Sequence, residues 1–157
     1  SARLLHLCVS GSRLAVGEAF EAATLDALLH ADGRTPVLLY PETPGVSAAA
    51  ADSLPPPEQL LIVVLDATWR KSRKMLHLNP ALQRLPRLAL TDMPASGYRI
   101  RKAHAPDQLS SLEAAAHALG QVGGDMAAVT PLFDAFDGFV QQQAAFVPAD
   151  APRTREA

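Results

Sequence analysis

Leu60-Leu61-Ile62-Val63-Val64-Leu65-Asp66-Ala67-Thr68-Trp69 is the stretch on which the fold of this chain turns. Six apolar residues in a row read as a strand, and a run with no polar break implies burial on both faces, as in a parallel sheet. An acid, a small residue and a hydroxyl follow, and then a helical stretch from Trp69 to Leu78 that Asn79-Pro80 stops. At 100° per residue, Arg70, Arg73, Lys74 and His77 share one side of that helix, and Trp69, Ser72, Met75 and Leu76 share the other. A basic stripe thus faces outward and an apolar one inward, and an indole on the apolar side more often fills a core than stacks on a base.

Working outward, Pro36 to Tyr40 is a second apolar strand. Before it, Ala22, Leu25, Leu28 and Leu29 recur at helical spacing within Glu21 to His30, and Asp32-Gly33 supplies the turn. Arg87 to Leu90 and Arg13 to Val16 read as further short strands. Ala2 to Val9 reads as a short helix, and Ser111 to Leu119 and Met126 to Phe146 as longer ones. Pro41 to Pro57 and Met93 to Asp107 are loops by composition. Strands alternating with helices predict an α/β fold, a mostly parallel sheet flanked by helices, in one domain over residues 1–147 with a tail at 148–157. Ligands in such folds bind beyond the carboxyl ends of the strands. That singles out Tyr40-Pro41-Glu42 after the second strand and Asp66-Ala67-Thr68-Trp69 after the expected central one.

The composition is globular: of 157 residues, 48% are apolar and 19% charged. The longest apolar run, Leu60 to Leu65, is far too short to span a bilayer, so no membrane partner is expected. The single cysteine, Cys8, can form neither an internal disulfide nor a cysteine zinc site, which fits a reducing, cytoplasmic setting. Histidines 6, 30, 77, 104 and 117 show no metal-ligand spacing, so no metal is expected. Net charge is −2, but it is unevenly spread. Between Asp66 and Lys102 nine basic residues face two acidic ones, a local excess of +7. Such asymmetry points to a face for an anionic partner, against the plainer reading of solvated helix surfaces.

Several residues could carry chemistry. Asp66 sits at the lip of a sheet, where it could act on a ligand, or either it or Thr68 could cap the next helix. A strand-end Asp also fits aspartate-based phosphoryl transfer, but that chemistry usually shows a second acid two residues on, where this chain has Thr68. Ser96-Gly97-Tyr98-Arg99-Ile100-Arg101-Lys102 sets an aromatic among three cations beside a flexible glycine, which suits phosphate contacts plus stacking. Ser110 and Glu113 have the spacing of a capping box, and the helix start at Ser110-Ser111 offers N–H groups to a carboxylate or phosphate.

Taken in order, these segments resemble the DTW family of tRNA-uridine aminocarboxypropyltransferases. The Asp-x-Thr-Trp signature is Asp66-Ala67-Thr68-Trp69, joined by Leu38-Leu39-Tyr40-Pro41, Ser96 to Lys102 and Leu109 to Ala114, with Ala2 to Leu5 and Arg13-Leu14 also fitting. The resemblance runs from about residue 2 to residue 140. Family members usually carry an N-terminal cysteine cluster, absent here, and the opening residues read like the middle of a helix, as though the chain were part of something longer. Ala67 stands where glycine is common, and Ser111 where threonine is.

The resemblance implies a fold related to the knotted SPOUT methyltransferases. It implies transfer of the 3-amino-3-carboxypropyl group of S-adenosylmethionine to N3 of a tRNA uridine, releasing methylthioadenosine. On that reading Asp66 is the candidate base for the N3 proton beside its reading as a cap, and Tyr40, Pro41, Thr68, Trp69, Ser96, Tyr98, Ser110, Ser111 and Glu113 are expected to hold the cofactor. The tRNA would lie on Arg70, Arg73, Lys74, Arg99, Arg101 and Lys102, with a monomer the favoured state. Two alternatives stand beside this: a methyltransferase on the same cofactor and fold, and a non-catalytic RNA-binding module.

Overall fold

A computed structural model of the chain describes residues 2–9, 11–49, 53–89 and 111–146. The chain begins with α1 (Ala2–Cys8) and α2 (Ala22–His30), then enters the sheet at β1 (Thr35–Leu39). A single 3₁₀ turn at Pro57–Gln59 leads into β2 (Leu60–Val63), followed by α3 (Trp69–Leu78), α4 (Pro80–Gln83) and β3 (Arg87–Leu88). Helices α5 (Ser111–Gly123) and α6 (Thr130–Phe146) follow, with another 3₁₀ turn at Ala127–Val129 between them.

Among the described residues the sheet has three strands in the order β2-β1-β3, and both pairings are parallel. Thr35 to Leu38 lie opposite Leu60 to Val63, and Leu38 and Leu39 lie opposite Arg87 and Leu88. This bears out the α/β class and the parallel sheet, but it moves the centre. Among the described strands Leu60 to Leu65, expected to be central, lies to one side of β1 and ends at Val63, and only Leu60 in it is buried. The middle place belongs to β1. Successive strand side chains point to opposite faces, and Val37 and Leu38 are both 0% exposed, so both faces of β1 are covered. The apolar run at 60–65 is mostly half-buried, and among the described residues it has a strand neighbour on one side only.

One face is covered by α2, α3 and α4. Leu25 and Leu29, one turn apart on α2, meet Leu38, Tyr40, Leu76, Leu82 and Leu85 in a single cluster. On the other side α5 packs against β1 and α6, with Ala115, Ala116 and Ala118 buried. Phe136 of α6 is enclosed with Leu4 and Leu5 of α1, and Val9 packs with Ala116, Val129 and Leu132. Arg13 to Val16, expected as a strand, forms none, and this stretch is exposed.

Helix α3 spans the expected residues, and its inward stripe is Ser72 and Leu76, with Met75 half-buried. Trp69 departs from its expected core role, being 43% exposed. It is the first residue of the helix, ahead of the buried Ser72 and Leu76. Asn79 ends α3 and does more than stop it. Its Nδ2 donates to the carbonyls of Met75 and Glu18, and its Oδ1 accepts from the Phe20 N–H at 3.0 Å. No helix among the described residues is long and apolar enough to cross a membrane.

Candidate functional site

The chain leaves β1 through Tyr40, whose side chain is buried under the start of α3 while its backbone still pairs with β3, Tyr40 N–H donating to the Leu88 carbonyl at 3.2 Å. Beyond it, Thr43 and Val46 exchange backbone hydrogen bonds of 3.1 and 2.8 Å. This tight turn needs the left-handed Gly45 (φ +83°), a conformation that side chains with a Cβ rarely take. Glu42 Oε1 accepts from the Ala48 N–H at 2.9 Å and holds the far side of the turn. Tyr40, Pro41, Glu42 and Thr43 thereby form one wall of a cleft of about 340 Å³, and Trp69 and Arg73 of α3 form the other. It opens at the carboxyl end of β1, where a parallel sheet is expected to receive a ligand.

The walls are tied together below the surface. Ser72 Oγ donates to the Trp69 carbonyl at 2.9 Å. Its one proton is thus committed, so the Tyr40 hydroxyl donates to Ser72 Oγ, also at 2.9 Å. The rings of Tyr40 and Trp69 meet edge to face, centroids 5.6 Å apart and planes at 76°. On the β3 side, the Arg87 guanidinium lies 5.0 Å from the centroid of the Tyr40 ring. Its Nη1 donates to the Pro41 carbonyl at 3.0 Å and reaches Thr43 Oγ1 at 3.4 Å.

The link from β2 to α3 resolves the choice of cap. Thr68 Oγ1 accepts from the Lys71 N–H at 3.3 Å, so Thr68 is the N-cap of α3. Asp66 is exposed two residues earlier, at the carboxyl end of β2 and outside the residues that line the cleft. Arg70, Arg73 and Lys74 are exposed along α3. Lys74 is paired with Glu18 at 2.9 Å, and the lysine's hydrogen bond and charge lower the Glu18 carboxyl below its usual range. Arg70 and Arg73 pair with no carboxylate among the described residues.

The cleft therefore gathers three of the expected cofactor residues, Tyr40, Pro41 and Trp69, and one residue expected to bind RNA, Arg73. Glu113 is buried in the first turn of α5, away from that lining. Ser111 begins α5, while Ser96, Tyr98, Arg99, Arg101, Lys102 and Ser110 lie outside the described residues. Sequence reasoning passed over Thr43, Ser72 and Arg87. The last two carried a signal: Ser72 is a polar residue on the apolar stripe of α3, and Arg87 is a cation within the apolar run Leu85 to Leu90.

No solved structure matches the chain. The DTW domain matches residues 1–144, from α1 to within two residues of the end of α6. That domain is consistent with a tRNA-modifying role. The match spans most of the chain and includes both walls of the cleft, and the chain belongs to the DTW-domain family.

Proposed function

We propose that this chain is a tRNA-uridine aminocarboxypropyltransferase that uses S-adenosylmethionine as co-substrate, on a SPOUT-like knotted fold. The observation that carries the reading is the meeting, at one cleft, of two segments that resemble family motifs, Tyr40-Pro41 and the signature ending in Trp69. A cleft of about 340 Å³ with two aromatic residues suits a purine nucleoside, within the usual size of small-molecule sites. The exposed Arg70 and Arg73 lead from its rim along α3 and offer charge to a phosphate backbone.

In the reaction, uridine N3 loses its proton and bonds to the γ-carbon of the methionine chain. The bond from that carbon to sulfur breaks, and methylthioadenosine leaves. The sulfonium supplies the electrophile, so the protein must choose the γ-carbon over the methyl by orientation. Asp66 is the candidate acceptor of the N3 proton, being a carboxylate beside the cap of α3. Thr68 anchors the loop that carries it. Ser96, Tyr98, Arg99, Arg101, Lys102, Ser110 and Ser111 complete the proposed cofactor and tRNA contacts, in a cytoplasmic setting.

The test is mass spectrometry of tRNA and small products after incubation with S-adenosylmethionine. Uridine heavier by the aminocarboxypropyl group, with methylthioadenosine released, is the expected result. S-adenosylhomocysteine would identify a methyltransferase in its place. Binding of tRNA with no saturable cofactor site would identify an RNA-binding module.

A further inference from the structure

We infer that Arg87 is a positioning residue for the cleft: it sets the Tyr40–Thr43 wall from beneath, and so governs how tightly the site takes a ligand. The inference rests on the cofactor reading for its ligand, but not for its geometry.

The starting point is an oddity of burial. Arg87 is 4% exposed, yet among the described residues no carboxylate pairs with it. Its Nε is buried with no hydrogen-bond partner. Removing a guanidinium from water without a counter-ion works against folding, and a buried donor left unmade adds to that. A methionine would fill similar volume without either penalty. The fold thus gains little from this residue as a core filler.

Its contacts instead converge on one object. Nη1 takes the Pro41 carbonyl and reaches the Thr43 hydroxyl, and the guanidinium carbon lies over the Tyr40 ring. Those are three of the four residues of the β1 wall of the cleft. The backbone of Arg87 is fixed independently, since it pairs with Leu38 of β1 and accepts from the Ala49 N–H at 2.8 Å. A rigidly held strand therefore projects a planar fork that orients the wall. Lysine could hold the charge near the ring or donate to the carbonyl, but it lacks the flat, forked group that does both.

The chain supplies its own reporter. Trp69 is its single tryptophan, lies in the cleft and touches Tyr40 edge to face. Its emission and its quenching by acrylamide read the packing of the site with no ligand added.

The experiment compares wild type with Arg87→Met and Arg87→Lys, in the full chain, by thermal melting, acrylamide quenching of Trp69 and S-adenosylmethionine titration. The expected Arg87→Met melts within a few degrees of wild type or higher, shows faster Trp69 quenching, and binds S-adenosylmethionine about tenfold more weakly or worse. Arg87→Lys should fall between the two. Trp69 quenching unchanged in a folded Arg87→Met overturns the inference, whatever the melting temperature. If Arg87→Met does not fold, Arg87→Lys decides by the same quenching criterion. Wild type that binds no S-adenosylmethionine would sink the cofactor reading, while the quenching comparison would still settle the role of Arg87.

Discussion

The Tyr40 hydroxyl donates to Ser72 Oγ, and Ser72 in turn donates to the carbonyl of Trp69. A strand end is thus joined to a helix start by a two-step chain whose direction is fixed, because Ser72 has one proton to give. Tyr40→Phe should lose about 1 kcal/mol of stability by leaving an acceptor unmet, and Ser72→Ala should leave a buried phenol without its partner and lose about 1–3 kcal/mol. Urea denaturation of both single variants and the double variant reads the coupling. A double variant that loses the full sum of the two singles would show that the chain is not a unit.

Asp66 separates a base from a structural role. If it takes the N3 proton, Asp66→Asn should keep cofactor affinity and lose about a hundredfold or more in turnover. Raising pH should partly restore the rate, because the uridine then ionises without help. Thr68, and not Asp66, caps α3, so the cap of that helix survives the substitution. Single-turnover rates across pH at saturating S-adenosylmethionine check this. A loss of affinity in place of turnover, with no recovery at high pH, contradicts the base.

The basic stripe of α3 is uneven in what it can offer RNA. Arg73 is exposed at the cleft, whereas Lys74 is engaged by Glu18. Arg73→Ala should therefore weaken tRNA binding more than Lys74→Ala, with the log–log salt slope falling by about 0.7–0.9 per lost phosphate contact. Glu18→Gln should release Lys74 and tighten binding. A carboxyl with a lowered pKa holds its partner above its ordinary range and lets go as pH falls through the lowered value. The advantage of Glu18→Gln over wild type should then shrink in acid. Salt-dependent filter binding at two pH values tests both statements.

Asn79 should be among the most sensitive positions outside the cleft. It is 2% exposed and serves Glu18, Phe20 and Met75 at once. Asn79→Ala should lose about 2–3 kcal/mol by stranding those groups. Asn79→Asp, which keeps the shape but faces two carbonyls with an oxygen, should be no better. An Asp variant as stable as wild type in urea would show that the amide donor is dispensable.

Much of this architecture was legible in the sequence, and the failures have physical causes. Helix α3 could be read residue by residue because its polar and apolar faces are cleanly divided and Asn79-Pro80 marks its end. The strands were found by their apolar runs, but such a run does not say which strand is central. The unbroken run Leu60 to Leu65 implies burial on both faces, yet coverage by helices decides burial, and among the described strands β1 has it, through Val37 and Leu38. Trp69 misled because a helical wheel treats every position alike, and the first residue of a helix is not yet enclosed. Arg87 was counted as surface charge, since nothing local reveals that a cation will lie beneath an aromatic ring contributed by a residue 47 positions earlier.

The strand order β2-β1-β3 also fixes a sequence of events as the chain emerges from the ribosome. The middle strand comes first, so the sheet must grow outward from it, on one side and then on the other. No hairpin starts the described sheet, because both of its strand pairings are parallel and each requires a long excursion to close. The aromatic pair at the mouth can meet once α3 has docked, but the strand that steadies it is made later. A nascent chain stalled before residue 87 would hold the lips of the site without their brace, and ligand affinity should be the last property of this domain to mature.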